Sequence, residues 1–131
     1  MTTPTTWLDL VDTPPLGQLL VESAERDRDR IAAQALADEE TLLAHDGVRA
    51  ALVDKQNGRM VARWENLMGR LYTLGLDEAQ RVFLSFVLSM VGIGQVSLPA
   101  VELLDERRLL IMQRAIVSLA GNDRIAVGTR M

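Results

Sequence analysis

Residues 81–102, RVFLSFVLSMVGIGQVSLPAVE, contain twenty consecutive uncharged positions between Arg81 and Glu102. Elsewhere charge is frequent, since 24% of the whole chain is Asp, Glu, Lys or Arg. Such a stretch is compatible with three different structures: a membrane-spanning helix, a glycine-containing ligand loop or the buried centre of a small domain. Which of the three it forms decides the fold.

The pattern within the stretch favours the buried centre. A spanning helix needs about twenty apolar residues, but here the continuous apolar part ends near Val91, and two glycines and a proline follow. We therefore expect no membrane span. We predict instead a central helix that begins after Asp77, a residue type that caps helix N-termini, and ends near Val91. The predicted core residues of this helix are Val82, Phe83, Phe86, Val87, Met90 and Val91.

The glycines of the stretch predict a turn and not a cofactor loop. A dinucleotide-binding loop requires a preceding strand, a third glycine and a later acidic residue, whereas Gly92 and Gly94 follow a helix. Beyond them, Ser97 is a predicted N-cap, and Pro99 suits the first turn of a helix. We predict one final helix over residues 98–120, stopped by Gly121.

The N-terminal third predicts an arm followed by one long helix. Residues 1–15 hold five Thr and three Pro, a composition that predicts a flexible arm. Residues 16–45 are rich in strong helix formers, and Gly47 is a predicted left-handed cap at their end. The resulting domain prediction is an arm over residues 1–15, a helical domain over 16–121 and a C-terminal tail over 122–131.

Residues 48–74 allow two structures. On a helix, Trp64 and Met68 lie in one apolar stripe, and a basic face forms on another side. That predicted basic face consists of Lys55, Arg59, Arg63 and Arg70. The dipeptide Asn57-Gly58, however, is also the strongest two-residue signal for a β-hairpin. We expect two short helices that break at this dipeptide, with the hairpin as the alternative.

Charge and chemistry restrict the function. The net charge is −4; residues 1–46 hold ten acids and three bases, and residues 47–131 hold eight acids and eleven bases. The two halves are therefore predicted to attract each other or to face different partners. Cysteine is absent and His45 is the only histidine, so we expect no metal, no cofactor and no enzymatic activity. The lack of cysteine fits a cytoplasmic protein.

Taken together, the patterns predict an all-α fold, a compact bundle of four to five helices with a flexible N-terminal arm. Two consecutive helices offer more apolar surface than such a bundle can bury, which favours a homo-oligomer or another protein as partner. The predicted partner-binding residues are Trp7, Leu8, Leu10, Trp64 and Met68. The function prediction is a non-enzymatic helical interaction or assembly module. The alternative is a small DNA-associated transcriptional regulator that uses the basic face, although the net acidity disfavours nucleic acid.

The amino-acid usage also suggests a source. The chain is rich in Ala, Leu, Arg and Asp and contains a single lysine. This usage is typical of a GC-rich coding sequence, so we expect a bacterial or phage origin.

Overall fold

The N-terminal half forms several short helices in place of the single long helix that the sequence predicts. A computed structural model describes residues 15–121 of the chain. Its first helices are α1 (Leu16–Ser23), α2 (Asp27–Glu39), α3 (Thr41–Ala44) and α4 (Asp46–Leu52). The domain prediction can be compared with the structure only over the helical part. Most of the predicted arm and the whole predicted tail lie outside the described residues.

Three local features divide these helices. The chain is extended at Ala24 after α1, and Glu40 between α2 and α3 has a positive φ of 74°. His45 is extended as well, and its Nδ1 accepts a hydrogen bond of 3.2 Å from the backbone N–H of Val48, so it caps the start of α4. Gly47 lies inside the first turn of α4, and its predicted role as a left-handed cap is wrong.

A β-hairpin occupies the place where the sequence analysis expected a broken helix. Strand β1 (Val53–Gln56) pairs antiparallel with β2 (Arg59–Ala62), and the register brings Gln56 opposite Arg59. The two-residue turn between them is Asn57-Gly58, with φ of 52° and 79°. Positive φ at both positions is the geometry of the type I′ turn that matches the twist of a hairpin. The hairpin alternative is therefore correct, and the expected pair of short helices is wrong.

The uncharged stretch forms the most buried helix of the described chain. After a 3₁₀ helix (Trp64–Leu67) and a series of turns, α5 runs from Glu78 to Met90. Asp77 and Gln80 form a reciprocal capping box at its start, which confirms the predicted cap. The predicted core residues are all buried: Val82, Phe83, Phe86, Val87, Met90 and Val91. Gly92, with a φ of 88°, ends the helix in a turn, as expected.

The last part of the described chain is divided as well. A second 3₁₀ helix (Leu98–Leu103), with proline in its first turn, precedes α6 (Glu106–Leu119). The single helix predicted over residues 98–120 is therefore wrong at Leu104, where the backbone is extended. The predicted stop is confirmed, because Gly121 has a φ of 75° directly after α6.

Helix α2 is the element around which the others pack. It contacts α1, α5 and α6, while β2 lies against α1. The contact with α1 is close because Gly17 has no side chain: a Cβ placed there would lie 2.5 Å from the Cβ of Ala37. The predicted all-α class is confirmed, with the hairpin as a small addition. Within residues 15–121, no helix combines the length and the hydropathy that crossing a bilayer requires.

Candidate functional site

The predicted basic face does not form on a helix, since its first two members lie on different strands of the hairpin. Side chains alternate along a strand and share a face with their cross-strand partner. Lys55 pairs with Met60, whereas Arg59 pairs with Gln56, so Lys55 and Arg59 point to opposite faces. The Arg59 guanidinium also donates to the backbone oxygen of Glu22, 3.0 Å away, which fixes it against α1.

The other two basic residues lie beyond the hairpin. Arg63 follows β2, and its Nε is 3.3 Å from a carboxylate oxygen of Asp54, so part of its charge is matched within the chain. Arg70 is exposed in the turns between the first 3₁₀ helix and α5. The prediction that these four residues form one face of a helix is therefore wrong. Nucleic-acid binding by these residues stays a prediction, which their separation disfavours.

The predicted apolar stripe is also separated into buried and exposed parts. Trp64 is 7% exposed and belongs to the hydrophobic core, while Met68 is 54% exposed in the turn that follows the first 3₁₀ helix. Partner binding by these residues stays a prediction, but only Met68 presents a large surface to solvent. Trp7, Leu8 and Leu10 lie outside the described residues.

An ion-pair network that sequence reasoning missed joins the two oppositely charged halves. Glu39 at the end of α2 is fully buried, and its carboxylate is 2.8 Å from the guanidinium of Arg108 in α6. It also accepts a 2.8 Å hydrogen bond from the backbone N–H of Leu42 and one from the Thr41 hydroxyl. The neighbouring Arg107 donates to the backbone oxygen of Glu39. The expected attraction between the halves is therefore real at this point.

The guanidinium of Arg108 also lies 2.9 Å from a carboxylate oxygen of Asp105, the residue that precedes α6. Burial acts to raise the pKa of Asp105, but the hydrogen bond and the charge of Arg108 outweigh it and keep that pKa below its ordinary value. Burial likewise acts to lower the pKa of Arg108, and its bonds to Asp105 and Glu39 raise it above the ordinary value. The carboxylates are satisfied by arginine, which is the arrangement of a structural ion pair.

An apolar hollow of about 270 Å³ lies between α5 and α6 and is here named the α5–α6 groove. Its apolar lining includes Phe86, Met90, Leu98, Met112, Ile116 and Leu119. Ser89 adds a hydroxyl, and no Asp, Glu, Lys or Arg of the described chain lines the groove. Leu98 on the second 3₁₀ helix is 73% exposed at its rim, beside the half-exposed Ile116 and Leu119 of α6.

The sequence carried a signal for this groove without locating it. The surplus of apolar residues in the last two predicted helices indicated a partner surface, and α5 and α6 are where the groove lies. The individual lining residues could not be chosen, because the break at Leu104 sets how the second 3₁₀ helix is placed beside α6.

Comparisons with known proteins identify no relative: no protein-family model, no curated protein and no solved structure matches this chain. Among residues 15–121, no three His, Cys, Asp or Glu side chains are arranged to hold a metal ion.

Proposed function

We propose that the protein is a non-enzymatic helical interaction module that self-associates through the α5–α6 groove. The observation that carries this proposal is an exposed apolar side chain beside an apolar hollow. Leu98 projects into solvent at the rim of the groove that it helps to line. A cytoplasmic location, expected from the sequence, is part of the same proposal.

A second copy of the chain fits this surface because the surface complements itself. In a two-fold symmetric dimer, each copy offers the same patch, so the projection of one copy meets the hollow of the other. Leu98 of each copy can then enter the opposite groove, beside the half-exposed Ile116 and Leu119.

The distribution of charge permits a second copy at this place, although the net charge opposes association. Each copy carries a net charge of −4, so two copies repel each other at long range. The groove lining itself bears no charged side chain among the described residues. Contact there buries apolar surface and leaves the charged side chains outside it. We therefore expect high salt to preserve or strengthen the association, because salt screens the remaining repulsion.

The experiment is multi-angle light scattering on a size-exclusion column at high micromolar loading. The wild type should elute with twice the mass of one chain, and Leu98→Asp should elute as a monomer. A truncated interface anchor costs about 2 kcal/mol or more, or roughly thirtyfold in affinity, and a buried carboxylate costs more. Helicity measured by circular dichroism should be unchanged, since Leu98 is exposed.

Met68→Asp is the matched control, because Met68 is an exposed apolar residue outside the groove. It should keep the mass of the wild type. A monomeric wild type would refute self-association, and a dimer broken by Met68→Asp but not by Leu98→Asp would place the interface elsewhere. DNA association is not proposed, since the four basic residues do not share one surface.

A further inference from the structure

An exposed aromatic side chain and two arginines form a surface feature outside the α5–α6 groove, here named the Tyr72 patch. Tyr72 is 83% exposed in the turns that precede α5. The guanidinium of Arg81, in the first turn of α5, lies 4.6 Å from the centre of the Tyr72 ring. At this distance the cation and the ring attract each other. Arg70, two residues before Tyr72, is exposed as well and completes the patch.

The backbone holds Arg70 and Tyr72 in one tight turn. The amide and the hydroxyl of Thr73 both donate to the backbone oxygen of Arg70, at 2.9 and 3.0 Å. Gly69 and Gly75, with φ of 76° and 77°, lie on either side of this turn. Tyr72 therefore extends into solvent from a hydrogen-bonded turn. A partner meets a side chain whose position is already restricted, which lowers the entropic cost of binding.

The two arginines of the patch have no carboxylate partner within the described chain. Six arginines elsewhere in residues 15–121 each lie within 4 Å of a carboxylate: Arg26, Arg30, Arg49, Arg63, Arg107 and Arg108. No such pair within residues 15–121 includes Arg70 or Arg81. Residues 66–76 also contain no Asp or Glu. The Tyr72 patch is therefore locally positive in a chain whose net charge is −4.

These properties fit a short acidic segment of another protein. Tyrosine and arginine are enriched at the energetic centres of protein interfaces, and a guanidinium forms its strongest hydrogen bonds with a carboxylate. A long polyanion such as nucleic acid fits less well, because Glu65 and Glu78 flank the patch in sequence and the whole chain is acidic. We infer that the Tyr72 patch binds an acidic peptide segment. The carboxylates of that segment pair with Arg70 and Arg81, and an apolar side chain packs on the Tyr72 ring.

Fluorescence polarisation tests this inference, with a fluorescein-labelled peptide of sequence EEFEE as the probe. The wild type should bind EEFEE severalfold more tightly than the uncharged peptide QQFQQ, and added salt should weaken the binding. Arg81→Gln should weaken it about fivefold, and Tyr72→Ala roughly tenfold or more. Arg28→Gln is the matched control and should leave the affinity unchanged. Arg28 is also exposed and forms no ion pair with residues 15–121, but it lies beside Gly92 at the opposite end of α5.

Several results would overturn the inference. The first is no binding of EEFEE, or equal binding of EEFEE and QQFQQ. Equal losses for Arg81→Gln and Arg28→Gln would assign the binding to net charge alone. Tighter binding of a labelled oligo-dT strand, lost in Arg81→Gln, would assign the patch to nucleic acid. If Arg81→Gln loses helicity, Arg70→Gln in the exposed turn gives the same test. Leu98→Asp should keep EEFEE binding, so failure of the dimer and failure of peptide binding are distinguishable.

Discussion

Replacing Arg108 by methionine tests the energetic role of the network between α2 and α6. Methionine keeps much of the length and apolar contact of the arginine stem but removes the charge. Glu39 is then left fully buried with the hydrogen bonds from Leu42 and Thr41 and without its countercharge. Removal of one partner of a buried ion pair costs about 3–5 kcal/mol. Because two hydrogen bonds to the carboxylate survive, we expect a loss near the lower limit, about 3 kcal/mol.

Urea denaturation followed by circular dichroism measures this loss. With a denaturant slope of about 1.5 kcal/mol per molar, a loss of about 3 kcal/mol lowers the urea midpoint by about 2 M. The double variant Glu39→Gln, Arg108→Met removes both charges and should regain at least half of the lost stability. That recovery separates the uncompensated charge from a simple loss of packing.

Arg107→Met is the matched control, because Arg107 neighbours Arg108 and is more exposed. Its guanidinium bonds to the backbone oxygen of Glu39 and to the exposed carboxylate of Glu40. Exposed pairs of this kind contribute about 1 kcal/mol or less. Equal losses for the two variants, or a loss below about 0.5 kcal/mol for Arg108→Met, would refute the view that Glu39 depends on Arg108.

Three further predictions concern stability. Gly17→Ala should destabilise the fold by about 1–3 kcal/mol through overlap with Ala37, and Ala37→Gly in the same chain should recover part of this in urea titrations. Gly58→Ala should cost about 1 kcal/mol because the turn needs a positive φ; Gly58→Asn should cost less in the same measurement, and equal losses would contradict this account of the turn. Since the folded-state pKa of Asp105 is lowered, its pairing stabilises the fold above the unfolded pKa of about 3.9 and is lost as the pH falls through the folded value. Asp105→Asn should therefore flatten the decline of the urea midpoint below about pH 4, and an unchanged decline would remove Asp105 as its source.

Helix α5 could be predicted from the sequence because every local signal agrees there. The capping residue Asp77, the apolar run and the glycine turn at Gly92 all indicate the same element. Burial follows directly from the lack of charge, so the core residues were also identifiable. Where local preference and tertiary packing agree, a single sequence is sufficient.

The breaks that divide the other predicted helices depend on tertiary contacts that the local sequence does not indicate. Glu40 takes a positive φ that its residue type disfavours, and this kink lets Glu39 cap α3 while Arg107 covers the chain from α6. The hairpin was signalled by Asn57-Gly58, but the helical spacing from Val53 to Met60 argued against it. Packing of β2 on α1 favours the strand form over that spacing.

The composition of the chain indicated that an apolar partner surface and attraction between the two halves exist. It did not indicate which residues form them. The Glu39–Arg108 pair joins residues 69 apart, and only the packing of α2 on α6 shows that these two meet. The α5–α6 groove depends in the same way on tertiary structure, because it requires the interruption of the helix at Leu104. The predicted basic face does not form, because it required one continuous helix through Asn57-Gly58, where the structure has a hairpin turn.

The Glu39–Arg108 pair has a consequence for synthesis on the ribosome. Translation proceeds at about 5–20 residues per second, so Arg108 follows Glu39 by roughly 3–14 s. During that interval the emerging chain carries a carboxylate whose burial is opposed by the cost of desolvating an unpaired charge. The N-terminal helices can form early, but their final packing must wait for α6 to leave the exit tunnel. Completion of this fold therefore follows the emergence of α6 and cannot precede it.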